Sequence, residues 1–156
     1  MRVLGIDPGI GRMGAAVVER QGSRLTAICY ELIETPPIAV ADRLLLIDSA
    51  LSKLITLHQP TAFGIEKVIF AANKTTAFDV AKAAGVAMLA AGRAGLTVVE
   101  ITPPEVKQAV VGVGNADKRQ VQFMVQRLLG LEKPPKPDDV SDALAVAIAI
   151  ALRARV

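Results

Sequence analysis

RVLGIDPGIGRMGAAVV, residues 2–18, decides the architecture. Arg2 to Ile6 is a short apolar run that stops at Asp7-Pro8-Gly9; Gly11 and Gly14 follow, and Ala15 to Val18 begins a second run, so the order is strand, turn, strand. Gln21-Gly22-Ser23 marks another turn, after which Leu25, Ala27 and Cys29 alternate with polar or bulky neighbours as far as Thr35. Three antiparallel strands therefore open the chain. Pro36-Pro37 breaks the pattern, and Val40, Leu44, Ile47, Leu51 and Leu54 then recur at the spacing of one helix face, in a helix that stops before Pro60.

Thr61 to Ile65 is a further short apolar run, ending at Glu66, and Leu96 to Ile101 is the next. Thr75 to Gly92, rich in Ala and Gly, reads as the helix between them, and a strand, helix, strand order predicts a parallel crossover. Pro103-Pro104 opens a short helical turn that ends at Gly112-Val113-Gly114; Asn115 is read as the N-cap of a helix running to about Leu129. Pro134, Pro135 and Pro137 make Glu132 to Pro137 a loop, and Asp138 is read as the cap of a final helix. The class is α/β, a mixed sheet flanked by helices.

A length of 156 residues predicts one domain over 1–156. Apolar residues make up 52% against 21% charged, which excludes intrinsic disorder. Mean hydropathy is +0.43, yet the longest charge-free run, Leu54 to Ile65, is twelve residues against the ~18 needed to span a bilayer. With no signal-like segment at the N-terminus and a lone Cys29, a soluble cytoplasmic protein in a reducing compartment is expected. Aromatics at 3% disfavour single-strand binding by many stacked rings.

Four carboxylates stand out. Asp7 sits where the first strand meets the glycine-rich turn, and an Asp before Pro-Gly is also an ordinary turn former. Glu66 interrupts a buried run between Thr-Ala-Phe-Gly-Ile and Lys67-Val68-Ile69-Phe70, and such an acid needs a partner. Asp139 and Asp142 lie three apart in the first turns of the last helix, on the face that continues through Val146 and Ile150. They either complement the helix N-terminus or look inward to the sheet. If the four converge, their repulsion requires positive charge among them. A donor set of oxygens alone, without cysteine and with His58 on a different helix, suits Mg²⁺ or Mn²⁺ rather than zinc, and two such ions clamp a phosphoryl group for phosphodiester hydrolysis. Lys107, Lys118 and Arg119 are candidates to meet backbone phosphates.

Gly5-Ile6-Asp7-Pro8-Gly9, Ile65-Glu66-Lys67-Val68, Val106-Lys107-Gln108 with Val111 to Lys118, and Asp139-Val140-Ser141-Asp142-Ala143-Leu144-Ala145 together resemble the RuvC family of Holliday-junction resolvases, in that family's order and spacing. The resemblance implies an RNase H-like fold, a five-stranded mixed sheet of three antiparallel and two parallel strands flanked by helices. It implies a homodimer that makes paired nicks in a four-way DNA junction during recombination and repair, alongside a branch-migration complex. By position, Asp7, Glu66, Asp139 and Asp142 match the family's catalytic metal-binding acids, with two Mg²⁺ or Mn²⁺ per site, and Lys107 and Lys118 match its basic residues near the scissile phosphate. Many members carry an aromatic that probes the junction centre three residues after the glutamate. Here that position is Ile69, and Phe70 beside it is either the substitute or part of the core. The small residues of Ala83 to Gly92 form either the dimer interface or a packing face within one protomer.

Three other functions compete. An RNA-processing nuclease of the same fold shares the Asp-Pro-Gly strand, but the paired lysines and the Asp139/Asp142 pair argue against it. A non-catalytic junction-binding module needs no acids. A sugar-kinase-like ATPase needs two domains, for which the chain is too short, and a P-loop lysine motif is lacking.

Overall fold

The computed structural model describes residues 1–68 and 74–153. Its elements are β1 (Arg2–Asp7), β2 (Arg12–Gln21), β3 (Arg24–Glu34), α1 (Val40–His58), β4 (Ala62–Glu66), α2 (Lys74–Arg93), β5 (Thr97–Ile101), α3 (Pro103–Val111), α4 (Lys118–Leu129) and α5 (Asp138–Arg153). The sheet has five strands in the order β3-β2-β1-β4-β5. β1 runs antiparallel to β2 and parallel to β4, and β4 is parallel to β5. This is the mixed sheet that the opening hairpins and the crossover predict. No helix among the described residues is long and apolar enough to cross a membrane.

β1 is central, and both of its faces are covered. Val3 packs in one apolar cluster with α3, α4 and α5; Leu4 and Ile6 pack in the other with α1 and α2. Side chains alternate along a strand, so Gly5 and Asp7 share the Val3 face. On β4, Ala62 belongs to the same cluster as Val3 while Phe63 and Ile65 belong to the opposite one, which puts Gly64 and Glu66 on the α5 side too. Ile6 pairs with Ile65 in register. Parity and register together deliver Asp7 and Glu66 side by side at the same end of two parallel strands.

α5 crosses that face, and glycine lets it come close. A Cβ on Gly5 would stand 2.4 Å from the Ala143 carbonyl oxygen and 2.5 Å from the Ala147 nitrogen, and one on Gly14 only 1.9 Å from the Asp139 carbonyl oxygen. Gly14 is the register partner of Asp7, so the first turn of α5 is pressed against the strand pair that carries Asp7. Every residue from Ala143 to Ala151 is buried, as expected of a helix that is apolar nearly all round and lies between the sheet and α3 and α4.

Three expectations need correction or completion. Asn115 does not cap α4; Asp117 does. Its carboxylate accepts from the Gln120 N–H at 2.9 Å while the Gln120 side chain accepts from the Asp117 N–H at 2.8 Å, a reciprocal box that Asn115, two residues upstream, cannot form. Asp117→Ala is therefore expected to lower stability by ~1 kcal/mol in chemical denaturation, with Asn115→Ala close to neutral. Asp138 lies inside α5 rather than capping it, and its carboxylate is engaged by α4 instead. Of the two readings of Ala83 to Gly92, the alanines follow the one within the protomer: Ala83, Ala84, Ala87, Ala90 and Ala91 are all buried in the cluster shared with α1.

Candidate active site

The acids converge on one end of the sheet. Asp7 closes β1 and Glu66 closes β4, with Asp139 and Asp142 one turn apart on α5. Burial, then the charges of Asp142, Glu66 and Asp139, push the Asp7 carboxyl up from its ordinary 3.8 to about 7 against a smaller opposing pull from Lys118. Burial and Asp142 raise Glu66, opposed by Lys107 and Lys118; burial also raises Asp142, opposed first by Lys118. Carboxyls this close in a partly dry place resist ionising together.

Two cations brace this acidic ground from opposite sides. Arg12, at the start of β2, donates from both Nε and Nη2 to Asp139 Oδ2, at 3.3 and 3.0 Å. Lys118, the first residue of α4, holds Asp138 Oδ2 at 3.1 Å and Asp142 Oδ2 at 3.2 Å, and Gln122 one turn later donates to Asp138 Oδ1 at 3.0 Å. Asp7 and Glu66 have no such clamp among the described residues. Beside Glu66 opens a cavity of about 220 Å³, walled by Glu66, Asp142, Lys107 and Lys118 over Val106, Val121 and Ala145. Negative and positive groups facing each other across an apolar floor suit a phosphodiester, whose charge needs the lysines and whose hydrolysis needs the acids.

Of the residues singled out in the sequence, Asp7, Glu66, Asp139, Asp142, Lys107 and Lys118 are thus brought to one region. Arg119 is exposed on α4 and does not line the cavity. Phe70 and Ile69 lie outside the described residues. Sequence reasoning missed Arg12, although a basic residue between Gly11 and Gly14, a few positions after Asp7, was a visible signal, and it missed Asp138 and Gln122, whose helical spacing to their partners shows only once α4 and α5 are docked.

The donor chemistry suits hard divalent cations: the unclamped donors are carboxylate oxygens, raised first by burial and then by neighbouring acids, with only part of that offset by the lysines. Among the described residues no three His, Cys, Asp or Glu side chains stand, as arranged, in a group that could hold a metal ion, so binding one requires these acids to move together. Asp139 and Asp142 each have one oxygen held by a cation, so ligation by them requires those pairs to loosen.

A sheet of this order with acids at the ends of two parallel strands, and more on the helix crossing them, is the plan of the RNase H-like nucleases. The family model described as crossover junction endodeoxyribonuclease RuvC matches residues 3–150. The RuvC of Heliobacterium modesticaldum is 51% identical over 152 residues, covering 97% of this chain and 94% of that protein, and the RuvC of Brevibacillus brevis is 48% identical over 149 residues, covering 95% and 90%. The chain belongs to the RuvC family. Thermus thermophilus RuvC, solved in complex with a Holliday junction substrate, superposes with a TM-score of 0.93 at 34% identity, covering 97% of this chain and 93% of that one. The yeast mitochondrial Holliday junction resolvase Ydc2, at 13% identity and a TM-score of 0.68 over 96% and 78%, shares the fold.

Proposed function

We propose that this chain is a structure-selective endonuclease that resolves four-way DNA junctions by paired symmetric nicks, acting as a homodimer in recombination and repair. The observation that carries the reading is the gathering of four acids at one end of the sheet, where burial and three of them push Asp7 to about 7 and two of them, Glu66 and Asp142, line a cleft shared with Lys107 and Lys118. Asp7, Glu66, Asp139 and Asp142 are the residues that would hold two Mg²⁺ or Mn²⁺. Bound there, such ions supply Lewis acidity toward a phosphodiester and the water that attacks it. The chain's own groups position the substrate. Lys118, relieved of Asp142 as that acid turns to the site and still held by Asp138, has donors left to meet a phosphate oxygen, and Lys107 lines the same cleft from α3. Arg119 is assigned to the DNA backbone outside the cleft, and Phe70 to the junction centre.

A junction has approximate two-fold symmetry, which a C2 pair matches with one site per equivalent strand. Since the alanines of α2 are used inside the protomer, the proposed dimer face is the outer side of that helix. There Leu89 is 51% exposed, Leu45 of α1 is 67% exposed, and nothing stands within 4 Å of a Cβ built on Gly85. A branch-migration complex is the proposed partner on the same DNA, in the cytoplasm.

The test offers a synthetic four-way junction, a matched duplex and a structured RNA, each with Mg²⁺, Mn²⁺ or EDTA. The expected result is nicking of the junction alone, symmetric across its arms and absent in EDTA. Binding without nicking under either ion would favour a silent junction-binding module; cleavage of the RNA instead would favour the RNA-processing branch of the fold.

A further inference from the structure

The turn that carries Asp7 toward β2 is roofed by an arginine that forms no ion pair with any acid among the described residues. Thr35, buried just after β3, donates its hydroxyl to the Ile10 carbonyl and its N–H to the Gly11 carbonyl at 3.1 Å. The same hydroxyl accepts from Nε of Arg43, in the first turns of α1, at 2.8 Å. Arg43 Nη2 lies 2.9 Å from the point where a Cβ on residue 11 would stand, and nothing else comes within 4 Å of that point. Gly11 therefore makes room for the guanidinium.

Arg43 is half-buried, and the one hydrogen bond of its side chain among the described residues goes to a neutral hydroxyl. Four other arginines are ion-paired: Arg12 with Asp139, Arg2 with Glu19, Arg93 with Asp48 and Arg153 with Glu105. A half-desolvated cation is costly to leave unpaired, and near a helix N-terminus it also opposes the helix dipole. Its two terminal nitrogens have the fork geometry that matches two oxygens of a phosphate.

We propose that Arg43, set over the Gly9–Gly11 turn, is a DNA-phosphate subsite of this protein. α1 packs on the opposite face of the sheet from α3 and α4, so a strand running past Asp7 meets fixed positive charge from Arg43 on one layer and from Lys107 and Lys118 on the other. The subsite rests on the junction-nuclease reading, and the experiment separates the two. Junction binding is titrated in EDTA across a salt series for the wild type, Arg43→Gln, Arg43→Lys and Thr35→Val, with thermal midpoints recorded for each. Arg43→Gln is expected to weaken binding roughly tenfold and to lower the slope of log affinity against log salt by about 1, with Arg43→Lys recovering most of the slope. Thr35→Val, which cuts the clamp but keeps the charge, should lower the midpoint while leaving the slope intact. An unchanged slope in Arg43→Gln, or the same loss of slope in Thr35→Val, would overturn the subsite and leave Arg43 a structural clamp. A wild type that fails to bind the junction at all sinks the nuclease reading before any variant is compared.

Discussion

Asp7→Asn is expected to abolish junction nicking, by roughly 10³-fold or more, and at the same time to make the metal-free protein more stable at pH 8. The two effects have one cause. Asp7 is the acid that burial and its neighbours oppose most strongly, held at about 7 against an ordinary 3.8. A carboxyl raised in the folded state binds its proton more tightly there than in the unfolded chain. Its contribution to stability is therefore complete below the ordinary value and is lost as pH rises through about 7. At ~1.4 kcal/mol per pH unit the loss is ~4 kcal/mol before solvent on the open side of the site is considered, and ~2 kcal/mol is a fair expectation after it. Thermal melts of the wild type in EDTA should thus fall between pH 5 and pH 8 (roughly the window set by that linkage), and those of Asp7→Asn should be flatter. Adding Mn²⁺ at pH 8 should raise the wild-type midpoint and leave that of Asp7→Asn nearly unmoved. A wild-type melt that does not change with pH would show that the four acids do not burden one another, and the case for a cation-holding site would fall with it.

The backbone plan was legible because it depends on local signals: Asp7-Pro8-Gly9 and Gln21-Gly22 end strands wherever the strands go, and the Val40 to Leu54 period defines α1 without reference to a neighbour. The ends of two strands at Asp7 and Glu66 were legible for the same reason, whereas their common face came from the strand parity and register of the folded sheet. What escaped was set by docking. Arg12 reaches Asp139 across 127 positions, and Lys118 takes up Asp138 as well as Asp142 only because α4 lies alongside α5. The Asn115 cap was misplaced by two residues because Asn and Asp are both good caps, and the deciding partner, Gln120, counts only from Asp117. Likewise the small residues of α2 read equally well as an inner or an outer face until Ala83, Ala87 and Ala91 were seen packed against α1.

Docking of α5 is also where the second large effect is expected. Gly5→Ala and Gly14→Ala add one methyl each, yet each should cost ~3 kcal/mol or more, beyond what a methyl added to an ordinary core position does. The new Cβ at position 5 would fall 2.4 Å from the Ala143 carbonyl oxygen, and at position 14 only 1.9 Å from that of Asp139. Both obstacles are helix backbone, which cannot turn aside as a side-chain tip can, so α5 must lift from the sheet or the strand must bow. Gly85→Ala, in the interior of α2 with open space around it, should instead be neutral or stabilise by up to ~1 kcal/mol, because there alanine only removes backbone freedom from the unfolded chain. The position 14 variant carries a further consequence, since its obstacle is the backbone of Asp139 itself. If it folds, the first turn of α5 is displaced from Asp7, and junction nicking should fall with little loss of junction binding. Equilibrium denaturation of the three variants, with nicking and binding measured on whichever fold, checks both parts. Gly14→Ala matching Gly85→Ala in stability would mean that α5 is not pressed against β2, and the placement of Asp139 beside Asp7 would lose its physical basis.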